Sequence, residues 1–141
     1  MARTRVKICC ISSLEEAQFA ISCGADALGL VSHMPSGPGV IGEPLIGDIA
    51  RAAPPAIGTF LLTSALAADE IIAQQERCHV NTVQIVDALP HGEYAKLSKA
   101  MPGVALVQVI MYAVNNLLPR RAQWRAMCLQ CCSIQVTRRD L

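Results

Sequence analysis

The chain has 141 residues and a mass of 15.1 kDa, the size of one ordinary domain. With 52% hydrophobic and 16% charged residues it is neither a disordered chain nor a coiled coil. The net charge of +1 gives no general attraction to nucleic acid or an acidic membrane. No apolar run reaches the roughly 18 residues that span a bilayer, and Arg3 and Arg5 are not followed by the long apolar stretch of a signal peptide. The expected location is the cytoplasm, with no membrane partner.

In chain order, Arg5–Cys10 reads as a first strand. Ser12 and Ser13 offer a helix cap, with Glu15 and Glu16 three residues on to complete a capping box, and a helix follows over Leu14–Cys23 with Gly24 at its C-terminal turn. Asp26–Ser32 is a nearly continuous apolar strand, and 34–39 is a loop rich in Pro and Gly. The rhythm then repeats. A helix covers Pro44–Ala53, a strand Ala56–Leu62, and a helix Asp69–Cys78 entered through Ser64 or Ala67. A strand follows over Thr82–Val86, a helix over Gly92–Ala100, and a fifth strand over Val104–Met111. Strands with little alternation are buried on both faces, as in a parallel α/β sheet. A doubly wound sheet and part of a (β/α)₈ barrel both fit this pattern.

The character changes near Tyr112, so the chain divides into a domain over 1–112 and a tail over 113–141. The tail holds five arginines against one aspartate, a local charge of +4, while residues 1–112 carry seven basic and ten acidic groups, a charge of −3. It also holds Trp124 and three of the seven cysteines. Leu117–Gln130 is expected as a helix and Ser133–Thr137 as a short strand. A shifted reading frame or a truncation would produce so abrupt a change in composition.

Several segments carry a family resemblance. Val6-Lys7-Ile8-Cys9 closes the first strand, and Gly24-Ala25-Asp26-Ala27-Leu28-Gly29-Leu30 opens the second. These resemble the K-I-C-G and G-A-D-A-L-G-F motifs of phosphoribosylanthranilate isomerase, an enzyme of tryptophan biosynthesis. The loop Met34–Ile41 resembles that family's P-x-S-P-R-Y-V segment, Ile57-Gly58-Thr59-Phe60 its V-G-V-F, and Thr82-Val83-Gln84-Ile85-Val86 its A-V-Q-L-H-G. Pro102-Gly103-Val104 fits the approach to its fifth strand. The likeness covers about residues 5–111.

The resemblance implies an α/β fold of the (β/α)₈ TIM-barrel family, incomplete at about five βα units and followed by a divergent tail. It implies an isomerase acting on a phosphosugar without a cofactor, by an Amadori rearrangement of a ribosylamine to a 1-amino-1-deoxyribulose. That chemistry needs an acid for the ring oxygen and a base for the proton at C2. Cys9 falls on the family's base. Independently, Cys9 ends a parallel strand just ahead of a capped helix, which is the catalytic end of such folds. Lys7 shares its parity and either faces the site or serves as an interior lysine paired with a carboxylate. Gln84 is either a polar contact for substrate or an interior packing amide.

Departures from the family stand beside these matches. Gly39 replaces an arginine that would hold a substrate anion, Val86 replaces a histidine, and Asp87 replaces a glycine. No motif after residue 111 matches, so the strand that carries the family's acid has no counterpart. Asp87 is the available substitute acid. The expectation is therefore little or no turnover, with an inactive barrel remnant serving as a binding domain as the alternative.

The remaining residues add little chemistry. Cys10 alternates away from Cys9 and is expected in the core. His33 follows the second strand on the presumed site face, and His79 and His91 mark helix boundaries. Cys128-x-x-Cys131-Cys132 lacks a second metal-binding pair, so no metal site is read, and the tail arginines lack the interleaved aromatics of a nucleic-acid binder. Five strands of an eight-stranded barrel leave open edges at strands 1 and 5, which invites self-association. The tail can cover one edge, but it is too short for three more βα units at roughly 30 residues each.

Overall fold

A computed structural model describes residues 3–110 and the backbone of 135–136. Its elements in order are β1 (Lys7–Ile8), α1 (Leu14–Ser22), β2 (Ala27–Val31), α2 (Glu43–Ala52), β3 (Gly58–Thr63), α3 (Ala68–Cys78), β4 (Thr82–Ile85), α4 (Glu93–Ala100), β5 (Ala105–Val109) and β6 (Gln135–Val136). One sheet joins the strands in sequential order. The first five are parallel, with Lys7 opposite Ala27, Ala27 opposite Gly58, Phe60 opposite Thr82 and Thr82 opposite Ala105. This is the incomplete-barrel order, and it excludes the doubly wound arrangement, in which strand order reverses about a switch point.

Alternation along the strands sorts their side chains onto two faces. Leu28, Leu30, Leu61, Val83 and Ile85 share one apolar cluster with Ala17, Ile46, Ile49, Ile71 and Leu97 of the helices. Lys7, Ala27, Gly29, Phe60, Leu62, Gln84 and Val107 belong to the opposite parity. Lys7 and Gln84 are hydrogen-bonded although β2 and β3 separate their strands. A flat sheet would hold those strands about 14 Å apart, so the bond marks this face as the concave one.

Element ends have local causes. β1 is shorter than the expected Arg5–Cys10 because Val6 gives its N–H to the Asp26 carboxylate, which also pairs with Arg3. At its other end Cys10 takes a left-handed backbone with φ 62°. Ser13 caps α1 by accepting from Glu16 N at 3.1 Å, and the Glu16 carboxylate reaches back to the backbone and hydroxyl of Ser12. These bonds hold Glu16 below its usual carboxylate range. Gly24, with φ +94°, ends that helix as expected.

The entry to α3 is Ala67, which has no capping side chain. The Glu93 carboxylate at the start of α4 takes the Ala68 N–H instead, at 2.7 Å. Arg77 on α3 forks onto Glu43 at the start of α2 and holds that carboxyl low. Gln74 donates to the same carboxylate and accepts from the buried Thr63 hydroxyl at 2.6 Å.

Beyond β5 the tail covers one edge, as the sequence allows. β6 pairs antiparallel with β5, Gln108 opposite Val136 and Val109 opposite Gln135. The edge expected to be open at strand 5 is thus occupied by the strand expected in the tail, and among the described residues β1 remains the open edge. The helix expected over 117–130 and the cysteines at 128, 131 and 132 lie outside the described residues. Among the described residues no helix is long and apolar enough to cross a membrane.

Candidate functional site

The candidate site lies where the parallel strands end. Cys9 follows the last residue of β1 and is half-buried. Its position opposite Gly29 follows from the β1–β2 register. A Cβ built on Gly29 would lie 2.6 Å from the Cys9 Sγ, so glycine alone leaves room for the thiol over β2. The backbone then turns away, with Ile11 N–H bonded to Gly29 O at 3.3 Å, and α1 begins three residues later.

Lys7 sits one pleat below Cys9 on the same face. Its Nζ donates to Gln84 Oε1 at 2.5 Å and lies 4.7 Å from the centre of the Phe60 ring. Lys7 therefore lies on the concave face, and the partner it has there is an amide rather than the carboxylate expected of an interior lysine. Gln84 is 6% exposed and is committed to that lysine. A half-buried ammonium gains from such partners, because its partial desolvation without them is costly.

Cys10 also departs from expectation. It is not a core residue: its left-handed backbone swings it against the loop after β2, with Sγ 3.6 Å from Pro38 O. Gly39, φ +77°, approaches so closely that a Cβ there would lie 2.5 Å from the Cys10 Cβ. The loop is tied down further by a parallel bridge between Val31 and Val40 and by Ile41 N–H to Val31 O at 2.9 Å. In motif terms, glycine and arginine at positions 10 and 39 of the family are cysteine and glycine here. Comparing the two departures as a pair would have exposed this contact in the sequence.

At β4 the structure places Val86 half-buried and Asp87 exposed beyond the strand end. The Asp87 carbonyl accepts from Gln108 Nε2 at 3.4 Å. Asp87 and Cys9 therefore occupy the same end of the sheet, on strand ends three strands apart. His33 is exposed after β2, and its carbonyl accepts from Ser64. His79 closes α3 in a left-handed conformation with φ 54°, and His91 precedes α4, both as expected of boundary residues. Among the described residues no group of three His, Cys, Asp or Glu could hold a metal.

No protein-family model matches the chain. N-(5'-phosphoribosyl)anthranilate isomerase 2 of Methanosarcina mazei is 31% identical over 105 residues, 74% of this chain and 46% of that protein. The isomerase of Geobacter metallireducens is 41% identical over 83 residues, 57% of this chain and 40% of that protein.

Residues 5–111 resemble the N-terminal portion of phosphoribosylanthranilate isomerase.

The chain spans about half the length of the curated isomerases it matches. Solved isomerase structures share the fold. The enzyme of Pyrococcus furiosus superposes with a TM-score of 0.71 at 24% identity, over 90% of this chain and 61% of that one. An isomerase in complex with reduced 1-(o-carboxyphenylamino)-1-deoxyribulose 5-phosphate gives 0.68 at 23% identity, over 91% and 61%.

Proposed function

We propose that this chain carries the base-bearing half of a phosphoribosylanthranilate isomerase site and, by itself, turns over little or no substrate. The observation that carries this reading is the placement of Cys9: at the C-terminal end of β1, on the concave face, over a glycine that leaves room for its thiol. The substrate class is an N-(5-phosphoribosyl)anthranilate, in keeping with the phosphosugar analogue held by a structural neighbour.

In the Amadori rearrangement an acid protonates the ribose ring oxygen, and the C1–O bond breaks as the amine nitrogen forms an iminium. A base then removes the proton at C2, giving an enaminol that tautomerises to the 1-amino-1-deoxyribulose. Cys9 is the proposed base. Lys7 and Gln84 are proposed as substrate-side residues whose mutual bond sets the floor of the site beneath Cys9. Asp87 is the proposed substitute acid, exposed at the same end of the sheet.

The alternative is a binding domain without catalysis. The contact of Cys10 with Gly39 favours it, because that contact occupies the space from which an arginine at position 39 would start. Expression of the chain in a tryptophan auxotroph lacking this isomerase separates the readings. Failure to support growth on its own, with low Cys9-dependent turnover of phosphoribosylanthranilate in vitro, is the expected result. Growth without tryptophan would show a complete enzyme.

A further inference from the structure

Among the described residues β1 is the open edge of the sheet, and its flank is apolar. Val6 and Ile8 have the parity opposite to Lys7 and so lie on the helix-bearing face, yet they are 45% and 40% exposed, and Phe19 of α1 is 70% exposed. Leu14, Gln18 and Ile21 of α1 face α2, where they line a small hollow with Ile49 and Ala52. At about 100° per residue, Phe19 and Cys23 stand on the flank of that helix turned away from α2, the side of the open edge. Main-chain groups join this apolar strip. The Val6 carbonyl accepts from Asp26 and Ala27 N–H at 2.8 and 3.2 Å, and alternation along the ladder turns the N–H and C=O of Lys7 and Cys9 the other way, outward. A strand edge of this kind is a template for another strand.

We propose that a second copy of this chain pairs along β1, edge to edge and antiparallel about a two-fold axis. Two features select this occupant. The first is self-complementarity, which a two-fold contact requires. With Lys7 opposite Cys9 of the second copy, the outward main-chain groups are matched on both sides of the axis. Ile8 then meets its own counterpart, and the two Lys7 ammonium groups do not stand face to face. The second feature is charge. Arg5 just before β1 and Glu15 in the first turn of α1 are both exposed, and within one copy they lie at opposite ends of the strand. An antiparallel partner brings the Arg5 of each copy to the Glu15 end of the other, while Glu16 keeps its bonds to Ser12. A protein supplying further βα units is the competing occupant. It is disfavoured because closing a barrel engages the β5 edge as well as β1, and β6 already takes that edge.

The experiment is sedimentation equilibrium of the full chain across a dilution series, with far-ultraviolet circular dichroism of every variant. The expected result is a monomer–dimer equilibrium. Phe19→Ser, at a position already exposed, should move it to the monomer with the circular dichroism unchanged. Arg5→Glu and Glu15→Arg should each raise the dissociation constant about tenfold, because each reverses two cross-copy pairs at once. The double reversal Arg5→Glu with Glu15→Arg should restore the dimer. That rescue cannot arise within one copy, where the two residues sit at opposite strand ends. A monomer throughout the series would overturn the proposal and leave the edge to another part of this chain or to a different protein. So would a dimer that Phe19→Ser leaves intact, or a double reversal that associates no more tightly than the single ones. None of these readouts depends on catalysis.

Discussion

Lys7 on β1 and Gln84 on β4 meet at 2.5 Å across the concave face, with two strands between them. This one bond joins the first strand of the sheet to the fourth. It fixes the curvature that turns Cys9 toward the strand ends of its neighbours, and it satisfies two polar side chains in a largely apolar layer.

Removing one partner should cost more than removing both. Among the described residues Gln84→Leu leaves the Lys7 ammonium with only the Phe60 ring, at an expected loss of about 1–3 kcal/mol. The double change Lys7→Met with Gln84→Leu should cost less than the sum of the single changes, since it leaves no unpaired group. Urea unfolding of the four proteins in the cycle measures this, and strict additivity would show the bond to be energetically idle.

Cys10 and Gly39 should behave as a coupled pair. Cys10 holds a left-handed backbone that costs a non-glycine residue about 1–2 kcal/mol, so Cys10→Gly is expected to be neutral or stabilising. Gly39→Arg alone drives a Cβ into the Cys10 side chain and should cost about 1–3 kcal/mol. The double variant should recover much of that loss, and should bind inorganic phosphate or a phosphosugar more tightly than the wild type. Melting temperatures and calorimetric titration test the two halves of the statement.

Much of the fold was legible because apolar runs and helix signals alternate cleanly from Val6 to Val109. Ser13 with Glu16, Gly24 and His79 mark helix ends through strictly local chemistry, which a sequence displays. The entry to α3 was less legible because its cap comes from Glu93, 25 residues away. Cys10 was misread because alternation assumes extended backbone, and the chain leaves that region at this residue. The amide partner of Lys7 was hidden for a similar reason, since strand curvature, not sequence spacing, brings Gln84 within reach. The position of Cys9 at the end of the first strand was legible from the apolar run that precedes it.

The remote cap at α3 gives a further test. Glu93→Ala removes the acceptor for Ala68 N–H and the partner of Lys96, and should cost about 1 kcal/mol. Glu93→Gln keeps an acceptor and should cost less. Hydrogen exchange at the first turn of α3 should rise in the alanine variant while β4 stays protected.

Cys78 should shape the alkaline limb of stability. It is fully buried on α3, and burial pushes its thiol up to about 11 from an ordinary value of 9.0. The folded state therefore holds this proton more tightly than the unfolded chain. Its contribution is complete below about pH 9 and is lost as pH rises toward about 11. Cys78→Ala should flatten the fall of the melting temperature across that window. Native Cys78 should resist iodoacetamide at pH 8, whereas the exposed Cys23 should react.

Turnover of phosphoribosylanthranilate, followed by the loss of its fluorescence in wild type, Cys9→Ser and Asp87→Asn, addresses the proposed half-site most directly. A missing acid or base typically costs about 10²–10⁴-fold, and a serine hydroxyl ionises far less readily than a thiol. The account predicts a wild-type rate at least about 10²-fold below that of a full-length isomerase, abolished by Cys9→Ser and lowered by Asp87→Asn. Near-normal turnover in the wild type, or a residual rate that Cys9→Ser leaves intact, would contradict it.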